Sequence, residues 1–411
     1  MSATTTNDQL GDPRSSDTVG HSEDEDGIQC KSPIPLGWRK LAIQSPQGRI
    51  GHTLCTNERE DLVYLYGGVN DMTPNASQYL ADFHLYDFNK KLWREVKMDG
   101  QTQSGRAFHT AVFAKGKMFV FGGCNGRGRF NKLFSVDENG TVEAKNPISH
   151  YQNGPVDMPA TRYCHSAVVF EGRMYVYAGK CGGRNSNRRL EDLWCFDFDT
   201  DRWMECEQAG QKPAPRSAHT AVTHSRQMIM FGGRSSEGEC CDDLYTYAYD
   251  TGLWAKIDTR SSYFGRARHS FVVHNSAIVV FGGWNGKKKL NDLFYYHLDS
   301  NQCESVRSKE EQHNPSRREC HVAAMCKNVM VVFGGRHQQD FKEDTCELNL
   351  GPRSLKEECR NWLANATGST VRIVNMPSRL EQYVVNWRLS ETDARTLPAP
   401  HGRVNQFPPT H

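Results

Sequence analysis

The 411-residue sequence has no apolar run near the ~20 residues that a membrane helix needs, so no membrane partner is expected. The first residues, MSATTTNDQLGDPRSSDTVGHSEDEDG, lack the apolar centre of a secretion signal. An excess of one charge is also missing: 50 Lys and Arg face 48 Asp and Glu, for a net +2. The balance is uneven, since residues 1–36 hold seven acids against Arg14 and Lys31, leaving +7 for the rest. That surplus is too small to mark general nucleic-acid binding. The 14 cysteines show neither a C-x-x-C pair nor a disulfide framework. Without a secretion signal they are expected as reduced thiols in the cytoplasm or nucleus. Cys240 and Cys241 are adjacent but have no neighbouring metal ligands, so no metal is expected. No nucleophile–base pair stands out, and GGCNGRGR precedes a strand rather than the helix a phosphate loop opens. The sequence therefore points away from an enzyme, and no cofactor is implied.

What is present is a repeat. Six short apolar runs end in glycine: LVYLYGG, KMFVFGG, RMYVYAG, QMIMFGG, AIVVFGG and VMVVFGG. They recur every 50–56 residues, counted between Gly67, Gly122, Ala178, Gly232, Gly282 and Gly334. Their β-branched and aromatic content is that of buried strands. Upstream of each lies Arg-x-x-His, at Arg49, Arg106, Arg162, Arg216, Arg266 and Arg318. Downstream comes an alternating strand such as EDLWCFDF, then in some repeats a Trp-bearing strand at Trp93, Trp203 or Trp254. Four short strands per unit at this period predict a propeller blade.

In that order these motifs resemble kelch repeats over residues 37–350. Val142 and Cys303 replace the expected Trp in repeats two and five, and Ala178 replaces the first Gly of repeat three. The last repeat stops at CELNLGP without its Trp strand, while GWRKLAI stands spare before the first. An unclosed ring would leave open strand edges. Trp38–Ile43 is therefore expected to complete the last blade. The expected fold is all-β: a six-bladed kelch β-propeller closed by an N-terminal strand, with a small C-terminal helical tail. The expected divisions are a disordered acidic stretch at 1–36, the propeller at 37–350, a helical segment at 351–391 and a disordered tail at 392–411. Kelch blades also occur in galactose-oxidase-like enzymes, but their copper site needs a Tyr/His cluster, and His297 has no second ligand at readable spacing.

Two capping boxes mark the helical segment. Ser354 with Glu357 opens SLKEECRNWL, whose Leu355, Cys359 and Leu363 share one face. Ser378 with Glu381 follows Pro377, ahead of a stripe containing Leu380, Tyr383, Val384 and Trp387. Cys359 lies beside Glu357 and Glu358, which oppose a reactive thiolate, so it is read as a small apolar knob. The first element resembles the BC box that binds elongin B/C, and MPSRLEQYV resembles the cullin-contacting half of a SOCS box. The resemblance implies elongin contacts at Leu355, Cys359 and Leu363, and cullin contacts at Pro377, Leu380 and Tyr383. Val374-Asn375-Met376-Pro377 lacks the first Pro of the usual cullin segment, so cullin 2 and cullin 5 both remain open. A plainer reading has these helices brace the underside of the propeller.

A repeated His is most simply a buried, bonded one. The repeated Arg has two readings: pairing with an Asp of the next blade, or a ring of cations at the propeller mouth. Loop cations (Arg127, Arg129, Arg184, Arg188, Arg189 and Lys287–Lys289) and Trp284 favour a mouth that takes an acidic or C-terminal carboxylate peptide. Resemblance to kelch receptors of C-terminal degrons implies contacts by arginines after a Gly pair, here Arg234 and Arg336, and by arginines on inner strands. The expected substrate-binding set is Arg106, Arg162, Arg216, Arg234, Arg266, Arg318, Arg336 and Trp284. Glu237 and Glu239 depart from the basic character such receptors carry after that Arg. The implied function is a substrate receptor of an elongin B/C–cullin–RING ubiquitin ligase. The competing class is a non-catalytic kelch scaffold.

Overall fold

The apolar runs become the second strands of six blades of four antiparallel strands in a computed structural model; two blades add a short fifth strand, Ala209–Gly210 in blade four and Asp340–Phe341 in blade six. It describes residues 37–351 apart from 72–77, 100–103, 146–157, 183–187, 260–264 and 307–313. Blade one runs outward through Thr53–Thr56, Leu62–Val69, Tyr79–Asp87 and Leu92–Glu95. Blade three repeats this with Ser166–Phe170, Arg173–Lys180, Arg189–Asp197 and Arg202–Glu205. Blade two begins at Thr110–Ala114, blade four at Thr220–His224, and blade five at Ser270–His274. Tight hairpins join the two innermost strands. At Lys115–Gly116, Glu171–Gly172 and Asn275–Ser276 both residues have positive φ, as a two-residue turn matched to strand twist requires.

Closure follows the expected route. Blade six consists of Glu319–Cys326, Val329–His337 and Thr345–Asn349, and Trp38–Lys40 is its outermost strand. Trp38 pairs with Leu348 and Lys40 with Cys346, and the Leu41 N–H donates to the Thr345 carbonyl at 2.9 Å. Trp38 thus supplies the Trp that the last repeat lacks.

The Trp positions pack blade against blade. Trp203 of blade three lies 4.8 Å from Phe121 of blade two, and Trp254 lies 4.8 Å from Tyr177. Trp38 takes the same place against Phe281 at 4.8 Å. Each such ring fills an inter-blade core with the apolar faces of two sheets, as in the cluster of Phe121, Leu133, Met174, Val176, Phe196 and Trp203. Burial of this kind stabilises by about 25 cal/mol per Å2 of apolar surface removed from water. Val142 and Cys303 do not cost their blades a strand: Val142–Lys145 and Gln302–Val306 both form. The expected helical segment, with Leu355, Cys359, Leu363, Pro377, Leu380 and Tyr383, lies outside the described residues.

Candidate functional site at the propeller mouth

Arg-x-x-His builds the ring before it builds a site. All six arginines are at most 1% exposed. Each donates from its Nη1 to the carbonyl of the first glycine position in its own blade, at 2.9–3.2 Å. Five also fork onto an aspartate at 2.5–2.9 Å: Arg49 on Asp82, Arg162 on Asp192, Arg216 on Asp243, Arg266 on Asp292 and Arg318 on Asp344. The aspartate belongs to the third strand of the same blade or the residue before it, not to the next blade. Bidentate pairing of this kind fixes geometry as well as energy. The carbonyl of the arginine then accepts from the second glycine of the preceding blade, as Gly68 N–H to Arg106 at 2.9 Å and Gly335 N–H to Arg49 at 2.9 Å. A Cβ on Gly232 would come within 2.6 Å of the Arg266 carbonyl, so the stitch requires glycine there.

This corrects the expected substrate-binding set. Arg106, Arg162, Arg216, Arg266 and Arg318 are spokes inside the blades, and their guanidinium groups present no surface to a peptide. Arg106 is the exception among spokes, since Lys132 stands where the others have Asp. Among the described residues it meets no carboxylate. It stacks on Phe130 at 4.4 Å and Phe134 at 5.2 Å, and burial lowers its pKa.

The histidines form an inner ring as expected. Nε2 of His109, His165, His219, His269 and His321 meets a Ser or Thr hydroxyl of the preceding blade, from Thr53, Thr110, Ser166, Thr220 and Ser270, at 2.7–3.1 Å. At the closing seam Val322 occupies the place of that hydroxyl opposite His52. Burial, followed by the neighbouring spoke Arg, holds His109 and His219 at about 3 and His52, His165 and His269 well below their ordinary value.

The surface of the mouth comes instead from the variable residues of each repeat. The residue after the spoke Arg pairs across its blade with the residue after the glycine pair. In blade order these pairs are Ile50 with Val69, Ala107 with Cys124, Tyr163 with Lys180, Ser217 with Arg234, Ala267 with Trp284, and Glu319 with Arg336. The next residue lines the central channel, of about 260 Å3: Gly51, Phe108, Cys164, Ala218, Arg268 and Cys320. All six hold φ between 55° and 64°, and five successive N–H to carbonyl bonds run round this rim, from Phe108 to Gly51 onward to Cys320 on Arg268. Non-glycine residues held in this region mark a surrounding structure that enforces them.

The mouth is therefore uneven. Blades one and two give an apolar arc of Ile50, Val69 and Ala107 under the half-buried Tyr79 and Phe108, with Phe341 reaching in from blade six. Blades three and four, joined by Arg129 from a loop of blade two, give a cationic arc. Arg129 lies 5.0 Å and Lys180 5.9 Å from the Tyr163 ring, while Arg189 pairs with Lys180 across strands and donates to Ser217 Oγ at 3.2 Å. Arg234 donates from Nε to the Gly238 carbonyl at 2.8 Å and sits 5.2 Å over Trp284. Burial and then the nearby Arg189, Arg129 and Arg234 charges lower the Lys180 pKa. Blades five and six carry cations with a built-in counter-charge. Glu319, 4% exposed, accepts from Arg268 at 2.7 Å and Arg336 at 3.0 Å, with Lys289 at 3.6 Å. Burial alone would raise its pKa, but Arg268 and Arg336 outweigh that and hold it low.

A family model described as the KLHDC2/KLHL20/DRC7 Kelch-repeats domain matches residues 35–233, 141–283 and 219–362. The chain belongs to the Kelch-repeat family. It is 23% identical over 368 residues to Kelch domain-containing protein 2 of Bos taurus, covering 80% of this chain and 87% of that one. It is 26% identical over 376 residues to Kelch domain-containing protein 1 of Mus musculus, covering 82% and 89%. It is also 27% identical over 306 residues to the Leucine-zipper-like transcriptional regulator 1 homolog of Drosophila melanogaster, covering 70% of this chain but 29% of that protein. As a Kelch propeller the chain is a protein-interaction domain.

Of the residues expected at the mouth of this Kelch ring, Arg234, Arg336 and Trp284 are there. Arg234 and Trp284 are brought together, while Arg336 is engaged by Glu319. Tyr163, Lys180, Arg268, Glu319 and Phe108 were not anticipated. Their signal was the variable pair within Arg-x-x-His and the single residue after the glycines.

Proposed function

We propose that this Kelch propeller is the substrate-recognition subunit of an elongin B/C–cullin–RING ubiquitin ligase, built on cullin 2 or cullin 5 and working in the cytoplasm or nucleus. The mouth holds a degron peptide, anchored by its C-terminal carboxylate on the cationic arc. The chain itself does no chemistry; it raises the local concentration of substrate near the ubiquitin carrier. The observation that carries the peptide half of this reading is the arc of Arg129, Lys180 and Arg234, for which no ion pair to a carboxylate is found among the described residues. The ligase half rests on the resemblance of SLKEEC and MPSRLEQYV to an elongin- and cullin-binding tail. The ring closes through Trp38 without that segment, which favours a tail free to dock elsewhere.

Two measurements test the two halves. Elongin B/C should co-purify with the full chain. Leu355→Ala should weaken that association about thirtyfold or more without lowering the melting temperature of the propeller. If elongin never binds and Leu355→Ala melts the propeller, the tail is a brace and the chain a Kelch scaffold. Peptides retained from a randomised library should be lost on C-terminal amidation, and Arg234→Ala should weaken them about tenfold or more. Equal recovery of free and amidated peptides moves the substrate site off this face.

A further inference from the structure

The two cationic regions of the mouth differ in one respect. Around Glu319 the charge is already shared: Arg268, Arg336 and Lys289 surround a buried carboxylate that belongs to the protein. Around Tyr163 no carboxylate pairs with Arg129, Lys180 or Arg234 among the described residues. These three are half-buried in a chain of contacts that runs from the Tyr163 ring through Arg189 and Ser217 to Trp284. The exposed Glu237 attracts Arg189 from the solvent side. The Nε of Arg129 is buried without a hydrogen-bond partner among the described residues. Like charges held this close repel, and partial burial weakens the screening by water. One carboxylate has two oxygens and occupies one guanidinium fork. It would leave most of this arc uncompensated.

We infer that the Tyr163 arc is built for a doubly charged peptide end: a C-terminal Asp or Glu, whose side-chain and terminal carboxylates lie within one residue of each other. This rests on the reading of the mouth as a carboxylate-binding site and specifies which carboxylate peptides it takes. Lys180 and Arg129 meet one carboxylate at Tyr163, and Arg234 meets the other beside Trp284. Residues upstream in the peptide lie toward the apolar arc of Phe108 and Phe341. Glu319 sets the limit on the other side, since its own charge disfavours an acid there.

The test uses the full chain, immobilised, and four pools of randomised decapeptides that differ only at the C-terminus: Glu free acid, Ala free acid, Glu amide and Ala amide. The Glu free-acid pool should be retained about tenfold better than the Ala free-acid pool at low salt. The gap should narrow as salt rises. Lys180→Ala should close it and Lys180→Arg should restore it. Arg129→Ala, on a loop, should narrow it independently, and Lys256→Ala, an exposed cation on the fourth strand of blade four, should not. Each variant is first checked for an unchanged melting temperature. Equal retention of the Glu and Ala free acids, both above their amides, overturns this inference and leaves carboxylate capture standing. A Glu preference that survives Lys180→Ala and Arg129→Ala combined also overturns it, by moving the second charge elsewhere. Retention unaffected by amidation in any pool overturns both.

Discussion

Lowering the pH from 7.5 to 5.5 should remove most of the stability of the propeller, through its histidine ring alone. Six histidines surround the channel, each at most 5% exposed. Burial, and next the spoke Arg three residues upstream, keeps His109, His219 and His321 near 3, and His52, His165 and His269 well under the ordinary 6.5. The sign follows directly. Below 6.5 the unfolded chain takes up protons that the folded ring refuses, so stability present above 6.5 is lost as pH falls toward 3. Each histidine contributes about 1.4 kcal/mol per pH unit in that window. Acting together, six would remove about 8 kcal/mol by pH 5.5, against the roughly 5–15 kcal/mol of a typical domain. The spoke carboxylates belong to a later window. Asp82 and Asp344 are held below the usual range by hydrogen bonds from His84 and Arg49, and from Arg318, so their contribution persists until lower pH. Urea melts at half-unit steps from pH 8 to 5.5 measure the slope. His109→Gln should reduce it by about one proton, roughly 1.4 kcal/mol per pH unit. Stability that stays flat between pH 7.5 and 5.5, or a slope untouched by His109→Gln, would refute the reasoning.

Two further substitutions and a pair of truncations probe the frame. Lys132→Asp should raise the melting temperature by giving Arg106 the carboxylate that the other five spokes have; an unchanged or lower value would mean that the Phe130 and Phe134 faces already satisfy it. Asp192→Asn should cost about 2–4 kcal/mol in denaturant melts, because it strands the fully buried Arg162, discounted because Asp192 is about a quarter exposed. Deleting residues 1–36 should leave the melting temperature unchanged, while deleting through Ile43 should lower it by about 10 °C or more, since Trp38 and the outer strand of blade six go with it; equal values for the two truncations would place closure elsewhere.

The ring was legible in the sequence because its parts repeat. Glycine pairs at a near-constant interval, the Arg-x-x-His before them and the spare Trp38 strand predict blade number, strand order and the seam, and all three are found. The role of the arginines was not legible, and the reason is physical. A cation at one phase in every blade is compatible with a ring of ligands at the mouth and with a ring of struts inside it, since both obey the same symmetry. The pattern that separates them is the aspartate 26–33 residues downstream, in phase with each Arg except at Lys132. A buried guanidinium is tolerated only with such partners, so the in-phase acid identifies a strut.

The same logic locates the candidate binding surface. A residue that holds the ring must be alike in all six blades, because each blade meets its neighbour by the same contacts. An asymmetric ligand such as a peptide has no six-fold repeat, so the residues that read it must differ from blade to blade. The three positions facing the mouth do differ: Ile, Ala, Tyr, Ser, Ala and Glu after the spoke Arg, then Gly, Phe, Cys, Ala, Arg and Cys, and Val, Cys, Lys, Arg, Trp and Arg after the glycines. Those eighteen residues, joined by Tyr79, Phe341, Arg129, Arg189 and Lys289, make the apolar, cationic and internally neutralised arcs. The position of Arg234, Arg336 and Trp284 at the mouth was legible because they break the repeat, and the spokes were misplaced because they keep it. In a propeller the conserved phase carries the scaffold, and the departures from it carry the specificity.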